Sequence, residues 1–96
     1  AVVQYNFAAP VQAPINLAHN IETSHFSWQP VPAATRYETN YRHTDQVTWT
    51  VLDAGQGTTF YQPFPWGNYL AKVRAYRNLV AGPFSEELEY TVPEPG

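Results

Sequence analysis

Short alternating runs of apolar and polar residues follow one another along the chain, and no stretch carries the apolar period of a helix. The clearest run is Gly67-Asn68-Tyr69-Leu70-Ala71-Lys72-Val73-Arg74-Ala75-Tyr76. Alternation by two places Tyr69, Ala71, Val73 and Ala75 on one face of a strand and Leu70, Lys72, Arg74 and Tyr76 on the other. The first set is uncharged and mostly small, which suits a core; the second carries a lysine and an arginine, which suits water. Six further segments read as strands. Ile15-Asn16-Leu17 follows Pro14, a residue tolerated at a strand start. His25-Phe26-Ser27-Trp28 directs Phe26 and Trp28 inward, and Pro30 and Pro32 end it. Arg36 to Arg42 puts Tyr37, Thr39 and Tyr41 on one face. Val47-Thr48-Trp49-Thr50-Val51 is rich in β-branched and aromatic residues, with Asp53 to Gly57 as its turn. Thr58 to Tyr61 comes next, and Pro63 to Gly67 makes the crossing into Tyr69–Tyr76. Arg77 to Pro83 reads as a loop, and Ser85 to Val92 closes the series with Leu88, Tyr90 and Val92 in phase.

This pattern predicts an all-β, immunoglobulin-like antiparallel sandwich of seven strands, with Trp28, Tyr37, Val73 and Leu88 in its core. A Trp on an early strand and a Tyr opening a late one are the internal anchors of such sandwiches. The fold alone says little about the task, because sandwich modules host many functions.

Composition narrows the possibilities. The 96 residues suffice for one domain. Net charge is −3, from 5 basic and 8 acidic side chains, so no basic stripe is available to neutralise a run of phosphates and nucleic acid is not an expected partner. No apolar run has the length of a membrane span, and the N-terminal residues lack the pattern of a signal peptide. With 0 Cys, stability has to come from packing. The 0 Met count suggests an excerpt of a longer protein, and the lack of an Asn-x-Ser/Thr acceptor speaks mildly against a eukaryotic cell-surface origin.

Over residues 13–92 the chain resembles the fibronectin type III modules. The likeness is carried by Pro14-Ile15-Asn16-Leu17, Ser27-Trp28, Tyr37-x-Thr39-x-Tyr41-Arg42, Trp49 with Val51, Tyr69-x-Ala71-x-Val73-Arg74-Ala75 and Gly82-Pro83-Phe84-Ser85. It implies that Tyr69 is the corner tyrosine, with a buried ring and a hydroxyl bonded to backbone near Phe64 or Pro65. One departure stands out: the family places its apolar corner residue one position further from the tyrosine than Phe64 stands from Tyr69, so a tighter corner is expected. Trp28, Tyr37, Phe64 and Tyr69 are the structural residues of this reading.

Val3-Gln4-Tyr5-Asn6-Phe7 before Pro10 echoes Leu88-Glu89-Tyr90-Thr91-Val92 before Pro93, at about one module's separation. Fixed-period similarity signals tandem repeats. Residues 1–12 are therefore expected to be the end of a preceding module plus linker, 13–92 the domain, and 93–96 a linker onward. Pro-spaced linkers favour extended, semi-rigid spacing.

No catalytic constellation emerges, and the chain is expected not to be an enzyme. His19, His25 and His43 form no pair at ligand spacing and read as surface histidines, so neither metal nor cofactor is expected. Asp53 to Gly57 offers one carboxylate, too few oxygens for calcium. Ser24 and Ser27 adjoin His25, but neighbouring strand residues point to opposite faces. Glu86, Glu87 and Glu89 guard an exposed strand edge.

One cluster carries possible contact chemistry: Phe60-Tyr61-Gln62-Pro63-Phe64-Pro65-Trp66. Phe60 and Phe64 suit the closing end of a sandwich. Tyr61 and Trp66 serve equally as packing or as contact residues for a sugar or a protein, and Trp49 carries the same ambiguity. The loop before the last strand, Arg77-Asn78-Leu79-Val80-Ala81-Gly82, lacks an Arg-Gly-Asp tripeptide, and the Trp-Ser-x-Trp-Ser signature is missing too.

A narrower likeness rests on Gly67-Asn68-Tyr69 leading into Lys72-Val73-Arg74-Ala75, with the Ala-Pro linker Phe7-Ala8-Ala9-Pro10. These pieces resemble the fibronectin-type modules of tail-tip host-specificity proteins in lambda-like phages. The resemblance implies an extracellular or virion setting, with neighbouring modules, tail-tip proteins or a bacterial surface glycan as partners. An accessory module of a secreted carbohydrate-active enzyme, or a bacterial surface-adhesin repeat, is the rival reading.

Overall fold

A computed structural model of the chain describes residues 11–94, in which two antiparallel sheets face one another across an aromatic core. The smaller sheet holds β1 (Ala18–Asn20), β2 (His25–Ser27) and β5 (Thr59–Tyr61), in the order β1-β2-β5. The larger sheet holds β4 (Thr50–Gly55), β3 (Arg36–His43) and β6 (Gly67–Arg77) side by side, with β7 (Val80–Phe84) and β8 (Leu88–Val92) both on the far edge of β6.

Alternation along β6 decides the core as expected: Tyr69, Ala71, Val73 and Ala75 are 1%, 1%, 0% and 0% exposed. Phe26 and Trp28 meet them from the smaller sheet, and Tyr37 and Tyr90 from β3 and β8. Leu88, expected in the core, is partly buried against it. Val11 is also buried in this cluster, two residues ahead of the expected domain start at residue 13. The echo in residues 3–7 and the remainder of the expected preceding module up to residue 10 lie outside the described residues.

The strand count differs from seven, and the reason is local. The additional strand, β7, lies mostly in the expected loop Arg77–Pro83, and the expected last strand Ser85–Val92 is shortened to β8. β7 ends with Phe84 opposite Arg74, and β8 begins with Leu88 opposite Ala71. Lys72 and Val73 of β6 therefore face three residues, Ser85 to Glu87, and the extra residue is a bulge. Ser85 bridges it: its N–H donates to the Val73 carbonyl at 2.7 Å, and its Oγ accepts from the Val73 N–H at 3.0 Å. The expected loop Arg77–Pro83 is mostly strand, because Asn78 adopts a left-handed φ of 55° and turns the chain within two residues, pairing Arg77 with Val80.

Two other strands are displaced from their expected places. Ile15–Leu17 is not a strand, since Asn16 takes a left-handed φ of 60° and interrupts the extended backbone; pairing starts at Ala18. Val47–Val51 is mostly loop, with Val47 90% exposed. There the Arg42 guanidinium gathers the carbonyls of His43, Thr44 and Gln46, curling the chain before β4 begins at Thr50. The expected turn Asp53–Gly57 is correspondingly half strand, and the reversal follows Gly55.

Candidate functional site

The structural residues are held by specific partners. The Tyr69 hydroxyl donates to the Pro65 carbonyl at 2.7 Å, so the corner bond forms although the corner is one residue tight. Burial and the neighbouring Tyr41 push the Tyr69 hydroxyl's pKa up. Phe64 is partly buried and joins Tyr41, Tyr69, Phe26 and Tyr90, at ring separations of 4.7, 4.9, 5.7 and 5.7 Å. Trp28 leans on Tyr37 at 5.4 Å, and the Tyr37 hydroxyl accepts the Val31 N–H at 2.9 Å, which pins the loop after β2.

The three histidines occupy separate surroundings. His19 is not a free surface residue: it stacks on Tyr90 at 4.4 Å and lies 4.8 Å from Phe26. Among the described residues neither of its ring nitrogens has a partner, and burial lowers its pKa. His25 donates from Nδ1 to the Thr23 carbonyl and tilts against Tyr61, while His43 covers the Tyr69 ring. No group of three metal-ligating side chains is present among the described residues.

The three aromatic contact candidates do not form one patch. Tyr61, 60% exposed, is on the edge strand β5 of the smaller sheet, and Trp66, 58% exposed, is in the crossing loop before β6. Trp49 lies over the outer face of the larger sheet, half-buried, with the Lys72 ammonium 4.2 Å and the Arg42 guanidinium 5.0 Å from its ring.

That outer face is the most organised polar surface of the molecule, and its register builds it in rows. Arg36 pairs with Tyr76, Glu38 with Arg74, Asn40 with Lys72 and Arg42 with Leu70. Glu38 and Asn40 are buried although they point away from the core, because long side chains lie over them. Glu38 accepts from Arg74 Nε at 2.8 Å, from Tyr76 at 3.1 Å and from Asn40 at 3.2 Å. Burial pushes its carboxyl pKa up, but these hydrogen bonds and the Arg74 charge outweigh that and hold it below its ordinary value.

Around this centre cations and rings alternate without a break. Arg36 covers Tyr76 at 3.7 Å, and Arg74 lies between Tyr76 at 5.2 Å and Phe84 at 4.6 Å. Lys72 lies between Phe84 and Trp49 at 4.2 Å from each, and Arg42 completes the series on Trp49. Of these residues, sequence reasoning singled out Trp49 alone. The outward set of β6 reads as an ordinary solvated face. The available signal was the placement of every Lys and Arg within two segments, Arg36–Arg42 and Lys72–Arg77.

No protein-family model matches the chain, and no curated protein matches it. Solved structures do. The chain is similar to the fn3 domain of human contactin 1, with a TM-score of 0.77 and 19% identity over 100% of this chain and 89% of that one. Its likeness to the third fibronectin III domain of human KIAA0343 protein has a TM-score of 0.71 and 21% identity, covering 100% of this chain and 93% of that one. Against the fn3 domain of human collagen alpha-1(XX) chain the TM-score is 0.68 and the identity 20%, over 93% of this chain and 91% of that one. These likenesses establish the fibronectin type III fold.

Proposed function

We propose that this fibronectin type III-fold chain is a non-catalytic spacer and interaction module of a larger multidomain protein, set in a phage tail tip. The interaction role is carried by the outer face of the larger sheet, where an unbroken series of cations and rings is displayed rather than used to fill the core. Tyr61 and Trp66 add exposed aromatic surface elsewhere on the module. The tail-tip setting is supported by the sequence likeness around Gly67–Ala75 and by the Ala-Pro linker. Neighbouring modules of the same chain, tail-tip proteins and bacterial surface glycans are its proposed partners, and the virion its location.

A single small face buries too little area for tight monovalent binding. Affinity then comes from repeated copies on a multimeric tip. Antibodies raised against the module should label the distal end of tails in virions from the source strain. Labelling confined to the cell surface or the secreted fraction would move the module to an adhesin or a carbohydrate-active enzyme. Titration with outer-membrane proteins and surface glycans should give only weak binding; submicromolar affinity of the monomer, or turnover of any glycan, would end the spacer reading.

A further inference from the structure

The outer face of the larger sheet displays positive charge that its own acids do not consume. Of the 5 basic side chains of the chain, Arg36, Arg42, Lys72 and Arg74 lie over the rings of this face and none is on the smaller sheet, although the net charge is −3. The ion pair on this face joins Glu38 to Arg74. Asp53, opposite Glu38, accepts the Gly55 N–H, and Glu89 stands at the margin opposite Leu70. Among the described residues, Lys72 and Arg36 donate no hydrogen bond and make no ion pair, and Arg74 uses only Nε. We infer that this face docks an acidic polypeptide segment lying extended across Lys72, Arg74 and Arg36. The inference deepens the interaction role proposed above and rests on it.

Three observations favour this partner. The rings of Trp49, Phe84 and Tyr76 each carry two cations within about cation–π range. They are thus committed to holding ammonium and guanidinium groups in place, and what the face offers a ligand is N–H donors, not open rings for stacking a sugar. The donors also have strand spacing. Lys72 and Arg74 are successive outward residues of β6, about 7 Å apart along the strand, which is the separation of alternate side chains in an extended peptide. In the row of Asn40 and Lys72 the edge strand presents Val51, 57% exposed, so no acid stands there to compete with the peptide's carboxylates for the cations. Cations already fixed on rings lose less rotamer freedom on pairing than free surface lysines do.

The test is a nuclear magnetic resonance titration of the whole chain with a short end-blocked peptide alternating glutamate and valine. Amides of Val51, Lys72, Arg74 and Phe84 should shift, with a dissociation constant of about 0.1–1 mM that weakens with added salt. Lys72→Gln and Arg36→Gln should each weaken binding about two- to fivefold, and together about tenfold. Neither residue holds the Glu38 network, so the spectrum outside the face should be unchanged. Absence of shifts at millimolar peptide, equal binding of the glutamine–valine analogue, or shifts confined to the smaller sheet would overturn the proposal. Binding of a sulfated oligosaccharide to the same amides at lower concentration than the peptide would overturn it in favour of a glycan. None of these outcomes bears on where antibodies label the virion, so the two readings fail separately.

Discussion

Ser85→Ala isolates the device that lets one strand run past its neighbour with an extra residue. Ser85 is 8% exposed, and its Oγ accepts the N–H of Val73, a residue with 0% exposure at the centre of β6. The same hydroxyl donates to the Glu86 carbonyl at 3.0 Å, holding the bulge in shape. Alanine removes the acceptor and leaves a buried amide without a partner. Such a group costs about 1–3 kcal/mol, and about 2 kcal/mol is the expected loss here. In a domain of this size each kcal/mol lowers Tm by about 4–8 °C. Urea unfolding should therefore show a lower midpoint with an unchanged slope. Amide exchange should quicken at Val73 by more than the global loss of stability requires. Two comparisons separate the hydrogen bond from other causes. Ser85→Cys refills the space with a poor acceptor, so it should lose nearly as much as alanine. Thr91→Ala removes an exposed bond to Asn68 and should cost less than about 0.5 kcal/mol. A Ser85→Ala loss no larger than that of Thr91→Ala, or full recovery in Ser85→Cys, would refute the reasoning.

Tyr69→Phe keeps the ring and deletes only the bond to Pro65, with an expected loss of about 1–2 kcal/mol by denaturant unfolding. Gly82→Ala would place a methyl group 2.7 Å from Val11 Cγ1, and that overpacking should cost about 1–3 kcal/mol in the same assay. A chain beginning at Ala13 should be about 1.5–3 kcal/mol less stable than one beginning at Val11, because it lacks a buried valine; equal midpoints would place Val11 outside the cooperative unit. For His19 the folded-state pKa lies below the ordinary 6.5, so the unfolded chain binds the extra proton first. Stability should then fall as pH drops through about 6.5, and His19→Phe should flatten that slope relative to the parent protein.

The sheet-on-sheet fold was legible because burial imposes its period on sequence. A strand with one face in the core must alternate, and Tyr69 to Ala75 do so without exception, as do Phe26 and Trp28. The corner bond of Tyr69 followed from the resemblance to fibronectin type III modules, which makes the tyrosine heading that strand the corner residue. Boundaries were less legible because they depend on single backbone choices. Asn16 and Asn78 in left-handed conformations end one expected strand and create another, yet asparagine is compatible with either conformation. The bulge at Ser85 belongs to the same class: a serine inside an extended run announces nothing until the register shows that it faces a surplus residue. The outer face was the least visible part. Arg36, Lys72, Phe84 and Trp49 come from segments far apart in the chain, and each alone reads as a solvated or half-covered side chain. Sequence thus determined which residues point inward, since that follows from local period and the cost of burying charge. Tertiary structure decided which outward residues meet, since β3 and β6 come into register only through long-range pairing while β7 folds back on β6 through the turn at Asn78, and these pairings together bracket Lys72 between two rings.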